Sequence, residues 1–317
     1  MAVLGMDLGG TKLAYAVFTE DGTLIRKNTL SLDKRKGTEV GRLISTNISD
    51  IISSSSGEGF KIGSIGISVP GISHAGTGKV WAPNIPGWED YPLLEEAVSV
   101  SGGIPVVIES DRACYIMGEV WQGNAKNCKD AIFLSVGTGI GAGILVNGEI
   151  LRGSHDVAGS IGWMALNRPF IDDYIACGCF EYYASGAGIA SNAKRMIKQG
   201  RGYNGVLKNI LSENITSYEV FSAYDNGDPV ASAVISQCIE FWAMAVANLI
   251  SLFNPQKIIM GGGVFGPAVS LIPRIREEAS RWAQPVSINQ VSIEQSALAG
   301  DAGVIGAAYM ALKKIII

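Results

Sequence analysis

The feature that most constrains the fold of this chain is a run of alternating glycines directly after an apolar stretch. Residues 131–136 are mostly apolar, which predicts a buried strand, and residues 137–143 then contain four glycines. Glycine permits positive φ and has no Cβ, so anionic oxygens can approach its backbone N–H closely. The run predicts a phosphate-binding turn, although taken alone it fits a glycine-rich β-hairpin without a ligand equally well.

A second copy of this design opens the chain. The apolar residues 3–6 are followed by Asp7-Leu8-Gly9-Gly10-Thr11-Lys12 and then by an apolar strand predicted at 13–18. Each strand–turn–strand unit stands at the head of one half of the chain. The repetition predicts two related lobes that close on one phosphate chain.

Composition and charge narrow the class of protein. The chain has 317 residues, 47% of them hydrophobic, so it can bury a large core. The net charge is −4, and no cluster of Lys and Arg suggests a nucleic-acid partner. No charged segment precedes an apolar core at the N-terminus, and the longest apolar stretch, 241–253, is interrupted by Asn248 and Ser251. We therefore expect no signal peptide, no membrane partner and a buried helix at 241–253.

The numbers of cysteines and histidines limit the chemistry. Five cysteines form an odd set without a disulfide framework, which predicts a reduced, cytoplasmic protein. Only two histidines are present, which argues against a histidine-based triad and against a His-rich metal site.

Hydrophobic periodicity predicts a mixed α/β chain. The predicted strands are 3–6, 13–19, 24–32, Ile62–Val69, 104–108, Ala131–Val136, 144–146 and 257–260. The predicted helices are 38–53, 113–121, 186–200, Pro229–Phe253 and 299–314, with polar breaks at 53–57 and 200–203. We expect a small lobe from 1–112 plus 300–317, on which the last helix packs, and a larger lobe from 113–299.

Three further stretches are candidate ligand sites. Asp111 follows a predicted strand where α/β folds bind ligands, although such a residue more commonly caps the next helix. The long irregular segment 72–92 contains Trp81, Asn84 and Trp88, which suit a sugar or a structural loop equally. The glycines at 261–263 suit close approach to a base or ribose, and a bare structural turn explains them almost as well.

Together these motifs resemble the ROK family of sugar kinases along essentially the whole chain. The matching residues are Asp7-Leu8-Gly9-Gly10-Thr11-Lys12, Pro83-Asn84, Asp111, Gly137-Thr138-Gly139-Ile140-Gly141, Gly153, Ala158-Gly159, Gly178-Cys179-Phe180-Glu181, Ser185-Gly186 and Gly261-Gly262-Gly263. The resemblance implies an actin-like (ribonuclease H-like), duplicated two-lobed ATPase fold. It also implies ATP- and Mg²⁺-dependent phosphorylation of a hexose or N-acetylhexosamine, usually by a homodimer. Family members that are repressors carry an N-terminal helix-turn-helix, which we do not expect here.

The resemblance also implies roles for the candidate site residues. Asp111 would be the general base on the sugar hydroxyl, and Asp7 would hold Mg²⁺ through water. The residues on the ATP phosphates would be Gly9, Gly10, Thr11, Lys12, Thr138, Gly139 and Gly141, with Gly262 and Gly263 facing adenosine. The sugar pocket would comprise Gly71, Asn84, Ser110, Asp111, Ser160, Trp163 and Glu181.

Several positions depart from the family pattern. Ser110 replaces the usual Asn before the base, and the usual Glu-x-x-His becomes Ser160-Ile161-Gly162-Trp163. The first two cysteines of the family's zinc motif fall at Asp172 and Tyr174, and Cys177 is out of register. We therefore expect no structural zinc, with Cys177 and Cys179 as ordinary thiols. An altered sugar pocket with an apolar wall would favour a substrate that has fewer recognised hydroxyls or an apolar substituent.

Three functions remain to be compared. An ATP-dependent sugar kinase is the leading hypothesis, because Asp111 and both glycine turns are intact. A non-catalytic sugar- or nucleotide-binding regulator of the same fold is the alternative suggested by the lost Glu and His. A dinucleotide-dependent oxidoreductase is the third, because Gly137-x-Gly139-x-x-Ala142 imitates a Rossmann fingerprint, although a strand rather than a helix is predicted to follow.

Overall fold

The structure, a computed structural model, describes residues 1–55, 57–200 and 202–316, so Ser56, Arg201 and Ile317 lie outside the described residues. The described residues form twelve strands: β1 Ala2–Leu8, β2 Lys12–Thr19, β3 Leu24–Ser31, β4 Ile62–Val69, β5 Ile72–Ser73, β6 Val80–Trp81, β7 Val106–Ser110, β8 Ala131–Val136, β9 Ile140–Val146, β10 Glu149–Ile150, β11 Lys257–Gly261 and β12 Ser292–Gln295. They also form nine α-helices: α1 Thr38–Ser55, α2 Leu93–Val100, α3 Asp111–Gln122, α4 Cys179–Ala184, α5 Gly186–Gln199, α6 Ser217–Asp225, α7 Pro229–Phe253, α8 Ile272–Ser280 and α9 Ala302–Ile316.

The chain divides into two compact units. Unit 1 contains Met1–Asn127, Ile150–Ala158 and the chain from Ala297 onward, and unit 2 contains Cys128–Glu149 and Gly159–Ser296. These boundaries differ from the predicted 112/113 and 299/300. Helix α3 belongs to unit 1 because it packs along α9, where Gly118 faces the carbonyl of Ala302.

Each unit is built on a five-stranded sheet of the same design. The strand order is β3-β2-β1-β4-β7 in unit 1 and β10-β9-β8-β11-β12 in unit 2. In unit 1, β1 is antiparallel to β2 and parallel to β4, which is parallel to β7. In unit 2, β8 is antiparallel to β9 and parallel to β11, which is parallel to β12. The predicted duplication is therefore present, and the two glycine turns occupy equivalent places, at β1–β2 and at β8–β9.

Strands β5, β6, β10 and β12 and helices α2, α4 and α6 were not predicted, and β5 and β6 lie in the segment 72–92 that was predicted to be irregular. The predicted elements differ from the observed ones mainly at their ends. The strand predicted from residue 144 begins at Ile140, because Gly141 and Gly143 pair with Ser135 and Phe133 across the β8–β9 ladder. The predicted tight turn is present at Gly137–Gly139, and the prediction that Gly141 and Gly143 belong to it is wrong. Helix α1 continues to Ser55, two residues beyond its predicted end at residue 53. Residues 299–301 form a short 3₁₀ helix ahead of α9.

Helix α7 is the core helix of unit 2. By length and composition it is the one helix among the described residues that could span a membrane, but 61% of its most apolar window is buried within the protein. Its exposed positions include Ala233, Ser236, Glu240 and Asn248, which recur at helical spacing on one face. Trp242 packs on the opposite face and donates its Nε1–H to the Ala184 carbonyl at 3.1 Å. The pattern is that of an amphipathic helix in a protein core, and the buried helix predicted from sequence is observed.

Helix α9 packs against unit 1 at backbone distance. A Cβ at Gly66 of β4 would overlap the carbonyl oxygen of Ala307, and one at Gly306 would overlap that of Cys114 in α3. Around these contacts, Val304 and Ala308 of α9 are buried in one cluster with Val3 and Phe18 of the sheet. The predicted packing of the last helix on the first lobe is therefore observed, and glycines on both sides make it possible.

We expect Gly66→Ala to destabilise the protein by about 1–3 kcal/mol or more, because the new methyl group must push α9 away from the sheet. Gly76→Ala is the matched control, since Gly76 is exposed and a Cβ there would meet open space. Urea unfolding of both variants measures the difference. Equal stability of the two variants would contradict the packing described above.

Candidate active site

The parallel strands of unit 1 bring polar residues to one edge of the sheet. Asp7 near the end of β1 pairs in register with Ser68 of β4, and Ser68 pairs with Glu109 of β7. The fully buried Ser68 donates its hydroxyl to Asp7 Oδ1 at 2.6 Å. A Cβ on Gly303 would lie 2.5 Å from Asp7 Oδ2, so the Asp7 carboxyl sits against the first turn of α9. The positive end of that helix dipole faces the carboxyl.

Burial dominates the electrostatics of Asp7. It raises the pKa of Asp7 to about 6, the hydrogen bond from Ser68 lowers it, and the charge of Asp111 raises it again. Lys12 has a lowering effect on the same pKa. The structure thus places the Asp111 carboxyl and the Lys12 ammonium close enough to influence the pKa of Asp7.

Asp111 is the first residue of α3, directly after β7. Ser110 occupies the N-cap position, so the alternative that Asp111 is itself the cap does not hold. Asp111 Oδ1 accepts from the Arg112 backbone N–H at 2.7 Å, and Oδ2 accepts from the Tyr115 hydroxyl at 3.3 Å. Burial raises the pKa of Asp111, while the Arg112 charge and these hydrogen bonds lower it. The carboxyl is therefore held on both oxygens.

The first glycine turn is exposed and lies beside Asn84. The Gly9 N–H donates to the Lys12 carbonyl at 2.8 Å, which closes the turn, and Gly10, Thr11 and Lys12 are exposed. A Cβ on Gly10 would lie 3.7 Å from the Cβ of Asn84. The structure therefore brings together two predicted site elements that are far apart in sequence.

The segment that carries Asn84 is held by tryptophan. Trp88 is buried, donates its Nε1–H to the Gly37 carbonyl at 3.0 Å and stacks on Tyr91 with ring centroids 4.3 Å apart. Trp88 is thus a structural anchor, whereas Trp81 is 40% exposed. Gly71 has φ +93°, and its carbonyl accepts from Arg112 Nη2 at 3.2 Å.

An ion pair next to Ser110 was not predicted from sequence. The carboxylate of Glu109, 9% exposed, accepts from Arg152 Nη2 at 2.5 Å and from its Nε at 2.9 Å. Its other oxygen accepts from the Ser110 N–H at 3.0 Å. This pair fixes the end of β7 just before Asp111. The position of Glu109 at the carboxyl end of a buried strand indicates that the acid needs a hydrogen-bonding or charged partner, but the sequence does not identify that partner.

In unit 2 the second glycine turn rests on a helix N-terminus. The Gly137 N–H donates to the Gly139 carbonyl at 2.9 Å, while the Gly186 N–H at the start of α5 donates to the Gly137 carbonyl at 2.8 Å. Thr138 is exposed, whereas Gly141 is buried within β9. Because the turn leads into a strand and not a helix, the Rossmann interpretation of Gly137-x-Gly139-x-x-Ala142 is wrong.

A cavity of about 450 Å³ opens beside this turn. Its lining residues are Gly137, Thr138, Gly186, Ala187, Ala190, Lys194, Glu213, Ile215, Thr216, Ser217, Tyr218, Gly263 and Val264. Gly262 has φ +87° and packs against the Val136 carbonyl, so no side chain fits there. Gly263 thus lines the cavity, while Gly262 shapes the turn that brings it there.

Glu181 of α4 has a partner that was not predicted. Its Oε2 accepts from the Ile140 backbone N–H at 2.6 Å, at the end of the glycine turn. Burial raises the pKa of Glu181, and the Ile140 hydrogen bond lowers it.

The Ser160–Trp163 stretch forms a 3₁₀ helix at Ile161–Trp163. Ser160 is exposed, and the Trp163 side chain is 58% exposed. The stretch is attached to the glycine hairpin, because the Ala142 N–H donates to the Gly159 carbonyl at 2.8 Å. Trp163 thus presents an apolar surface on unit 2.

Aromatic rings occupy the region of the family's zinc motif. Tyr174 is buried and shares a 2.8 Å hydrogen bond with the Tyr183 hydroxyl, and Tyr183 stacks on Phe241 with centroids 4.5 Å apart. Cys177 and Cys179 are free thiols. Across residues 1–55, 57–200 and 202–316, no group of three or more His, Cys, Asp or Glu is arranged to hold a metal ion. The predicted absence of a structural zinc stays a prediction.

Comparison with known proteins supplies the family context. The family model described as "ROK family" matches residues 3–314. The glucokinase of Halalkalibacterium halodurans is 33% identical over 318 residues, covering 97% of this chain and 94% of that protein. The xylose repressor of Caldicellulosiruptor bescii is 32% identical over 256 residues, covering 80% of this chain and 63% of that protein.

A solved structure extends the likeness to three dimensions. The ROK family glucokinase from Streptomyces griseus in complex with glucose and AMPPNP matches with a TM-score of 0.77 and 27% identity, over 99% of this chain and 100% of that one. With the duplicated sheets described above, this confirms the predicted actin-like two-lobed α/β fold.

The raised pKa of Asp7 predicts a pH-dependent cost to stability. Between about pH 4 and about pH 6 the Asp7 carboxyl keeps its proton in the folded chain but loses it in the unfolded chain. The contribution of Asp7 to the free energy of unfolding is therefore fully present below about pH 4 and is lost as the pH rises through about 6. In EDTA, ligand-free Asp7→Asn should be more stable than wild type at pH 7 by about 2–3 kcal/mol, with no difference below about pH 4. Urea unfolding at both pH values measures this.

The exposed Asp50 provides the control for Asp7, and Asp50→Asn should leave stability unchanged at both pH values. Equal stability of Asp7→Asn and wild type at pH 7 would show that the Asp7 carboxylate is not desolvated.

Proposed function

The chain belongs to the ROK family, and we propose that it is a sugar kinase that transfers the γ-phosphoryl group of ATP to a sugar hydroxyl. The observation that carries this proposal is the position of Asp111. Its carboxyl stands at the carboxyl end of a parallel strand, is held on both oxygens by Arg112 N–H and Tyr115, and interacts with Asp7. Relatives named glucokinase support the same activity.

In this proposal Asp111 is the general base. It accepts the proton of the sugar hydroxyl as that oxygen attacks the γ-phosphorus, and the bond from phosphorus to the β,γ-bridging oxygen breaks to release ADP. The backbone N–H of Arg112 and the Tyr115 hydroxyl orient the carboxyl. Because Oδ2 is bonded at 3.3 Å only, it is the oxygen with more freedom to turn to a substrate.

ATP binding is assigned to both units. Gly9, Gly10, Thr11 and Lys12 form an exposed turn in unit 1, and Thr138 and Gly139 form its counterpart in unit 2. Gly141 contributes through the strand that fixes this second turn. The cavity lined by Gly263, together with the turn shaped by Gly262, takes the adenosine.

The residues around Asp7 suit Mg²⁺ bound through water. The Asp7 carboxyl is desolvated, which raises its pKa to about 6, and a divalent cation would favour its ionised form. The ion would supply positive charge against the phosphates. Ser68 orients the Asp7 carboxyl through its hydroxyl, and Gly303 leaves room for it.

The sugar pocket is assigned to Gly71, Asn84, Ser110, Asp111, Ser160, Trp163 and Glu181. Asn84 is exposed beside the first glycine turn, and Trp163 presents an apolar face where the family has a histidine. We propose that the substrate has an apolar substituent, or fewer recognised hydroxyls than glucose. We also propose that the enzyme is a homodimer, as the family resemblance implies, and that it acts in the cytoplasm without a nucleic-acid or membrane partner, as its cysteines, charge and hydropathy suggest.

Asp111→Asn should lower kcat by about 10²-fold or more, because removing a general base typically costs 10²–10⁴-fold. Binding of ATP should not change, because the residues assigned to ATP are untouched. Initial rates of ADP release over a sugar panel and calorimetric titration with ATP measure the two effects. Asp50→Asn is the control, and a kcat of Asp111→Asn equal to wild type would assign the base elsewhere.

The pocket proposal has its own test. Wild type should show its highest kcat/KM on sugars with an apolar substituent or on deoxy-sugars, and Ser160→Glu with Trp163→His should move the preference towards glucose. The panel includes neutral hexoses, N-acetylated hexosamines, deoxy-sugars and aryl glucosides. If the wild type prefers glucose or N-acetylmannosamine, the proposal of an altered pocket is contradicted. The proposed kinase activity is not contradicted by that result.

The second candidate is a non-catalytic regulator of the same fold that binds sugar or nucleotide. Ser160 and Trp163, in place of the family's Glu and His, favour it, and a repressor is among the relatives. ATP binding without turnover on any sugar of the panel would support the regulator over the kinase.

A further inference from the structure

Glu181 connects two segments of unit 2 that are distant in sequence. Its Oε2 accepts from the Ile140 N–H at 2.6 Å, across a separation of 41 residues. The bond therefore joins the start of α4 to the end of the glycine turn.

The surroundings of the Glu181 carboxyl are shaped to admit it. A Cβ on Gly139 would lie 2.7 Å from Oε2, and a Cβ on Gly162 would lie 2.9 Å from the same oxygen. Neither glycine has positive φ, so a Cβ at either position would require the Glu181 carboxylate to shift, whereas the backbone conformation itself would allow one.

The turn is clamped at both ends. At its start, the Gly186 N–H at the beginning of α5 binds the Gly137 carbonyl at 2.8 Å. At its end, Glu181 binds the Ile140 N–H. Thr138 and Gly139, the residues assigned to phosphate, lie between the two clamps.

We propose that Glu181 is a positioning residue for nucleotide binding: its carboxylate holds the Gly137–Ile140 turn in the shape that receives phosphate. This inference rests on the proposed function, because it takes the turn to be a phosphate site. It differs from a role in sugar binding alone, since the effect on the nucleotide exists without any sugar. The carboxylate also occupies the Ile140 N–H, so phosphate contacts at this turn fall to Thr138 and Gly139.

The decisive experiment is calorimetric titration with a non-hydrolysable ATP analogue and Mg²⁺ in the absence of sugar. Glu181→Ala leaves the Ile140 N–H without its acceptor, so we expect Kd to rise about tenfold. Glu181→Gln keeps a carbonyl acceptor of the same reach, and its Kd should stay within about threefold of wild type. Glu240→Ala, which removes one exposed acid from α7, should leave Kd unchanged.

Glu181→Asp provides a second route if the alanine variant does not fold. It keeps the charge but shortens the side chain by one methylene, so it should weaken binding as Glu181→Ala does. Hydrogen exchange of the Ile140 amide gives a direct readout, and it should accelerate in the Asp and Ala variants but not in Glu181→Gln.

The outcomes separate this inference from the proposed function. If Glu181→Ala or Glu181→Asp binds the ATP analogue with the wild-type Kd and only the KM for sugar is raised, the positioning role is overturned. The proposed kinase activity is not contradicted by that result. Absence of nucleotide binding by wild type would overturn the proposed function itself, and the inference with it. Weak binding in the Ala and Asp variants, with rescue in Gln, would establish Glu181 as a clamp on the turn.

Discussion

The candidate site depends on the parallel pairing of β1, β4 and β7. Parallel strands bring their carboxyl ends to the same edge, and the register places Asp7, Ser68 and Glu109 in one row across the sheet. Asp111 follows two residues after that row. Desolvation of acids at this edge is unfavourable unless each carboxyl has hydrogen-bond donors, and Ser68, Tyr115 and Arg152 supply them. The sheet thus determines where the carboxyl groups lie, and the surrounding hydrogen-bond donors offset the free-energy cost of burying them.

Local patterns explain most of the fold that could be predicted from sequence. Apolar runs and glycine turns identified both hairpins, the long helix α7 and the packing of the last helix, because periodicity and turn chemistry act over a few residues. The start of β9 was mispredicted because glycine was taken to mean a turn, whereas Gly141 and Gly143 pair within the ladder. Their neighbours in β8 stabilise them there, and no local signal shows this.

The site was predicted less completely because its contacts are long-range. The positions of Asp7, Asp111 and Asn84 follow from motifs, but the partners of Glu109 and Glu181 lie about 40 residues away along the chain. Only the folded structure shows that Arg152 binds Glu109 or that Ile140 binds Glu181. Likewise, the family's zinc motif showed that its first two cysteines are missing from this sequence. The cluster of aromatic rings around Tyr174 became apparent only from the packing in the folded structure.

The close packing of α9 on the sheet of unit 1, which glycines make possible, has a consequence for the order in which the two units fold. Strands β1 to β4 are made first, yet the helix that covers Val3 and Phe18 is encoded after all of unit 2. A growing chain therefore carries an uncovered apolar sheet face while unit 2 is being synthesised, and exposed faces of this kind attract chaperones or other nascent chains. Unit 2 has its main helices within its own stretch and can complete its core earlier. Unit 1 therefore cannot complete its core until α9 has been synthesised.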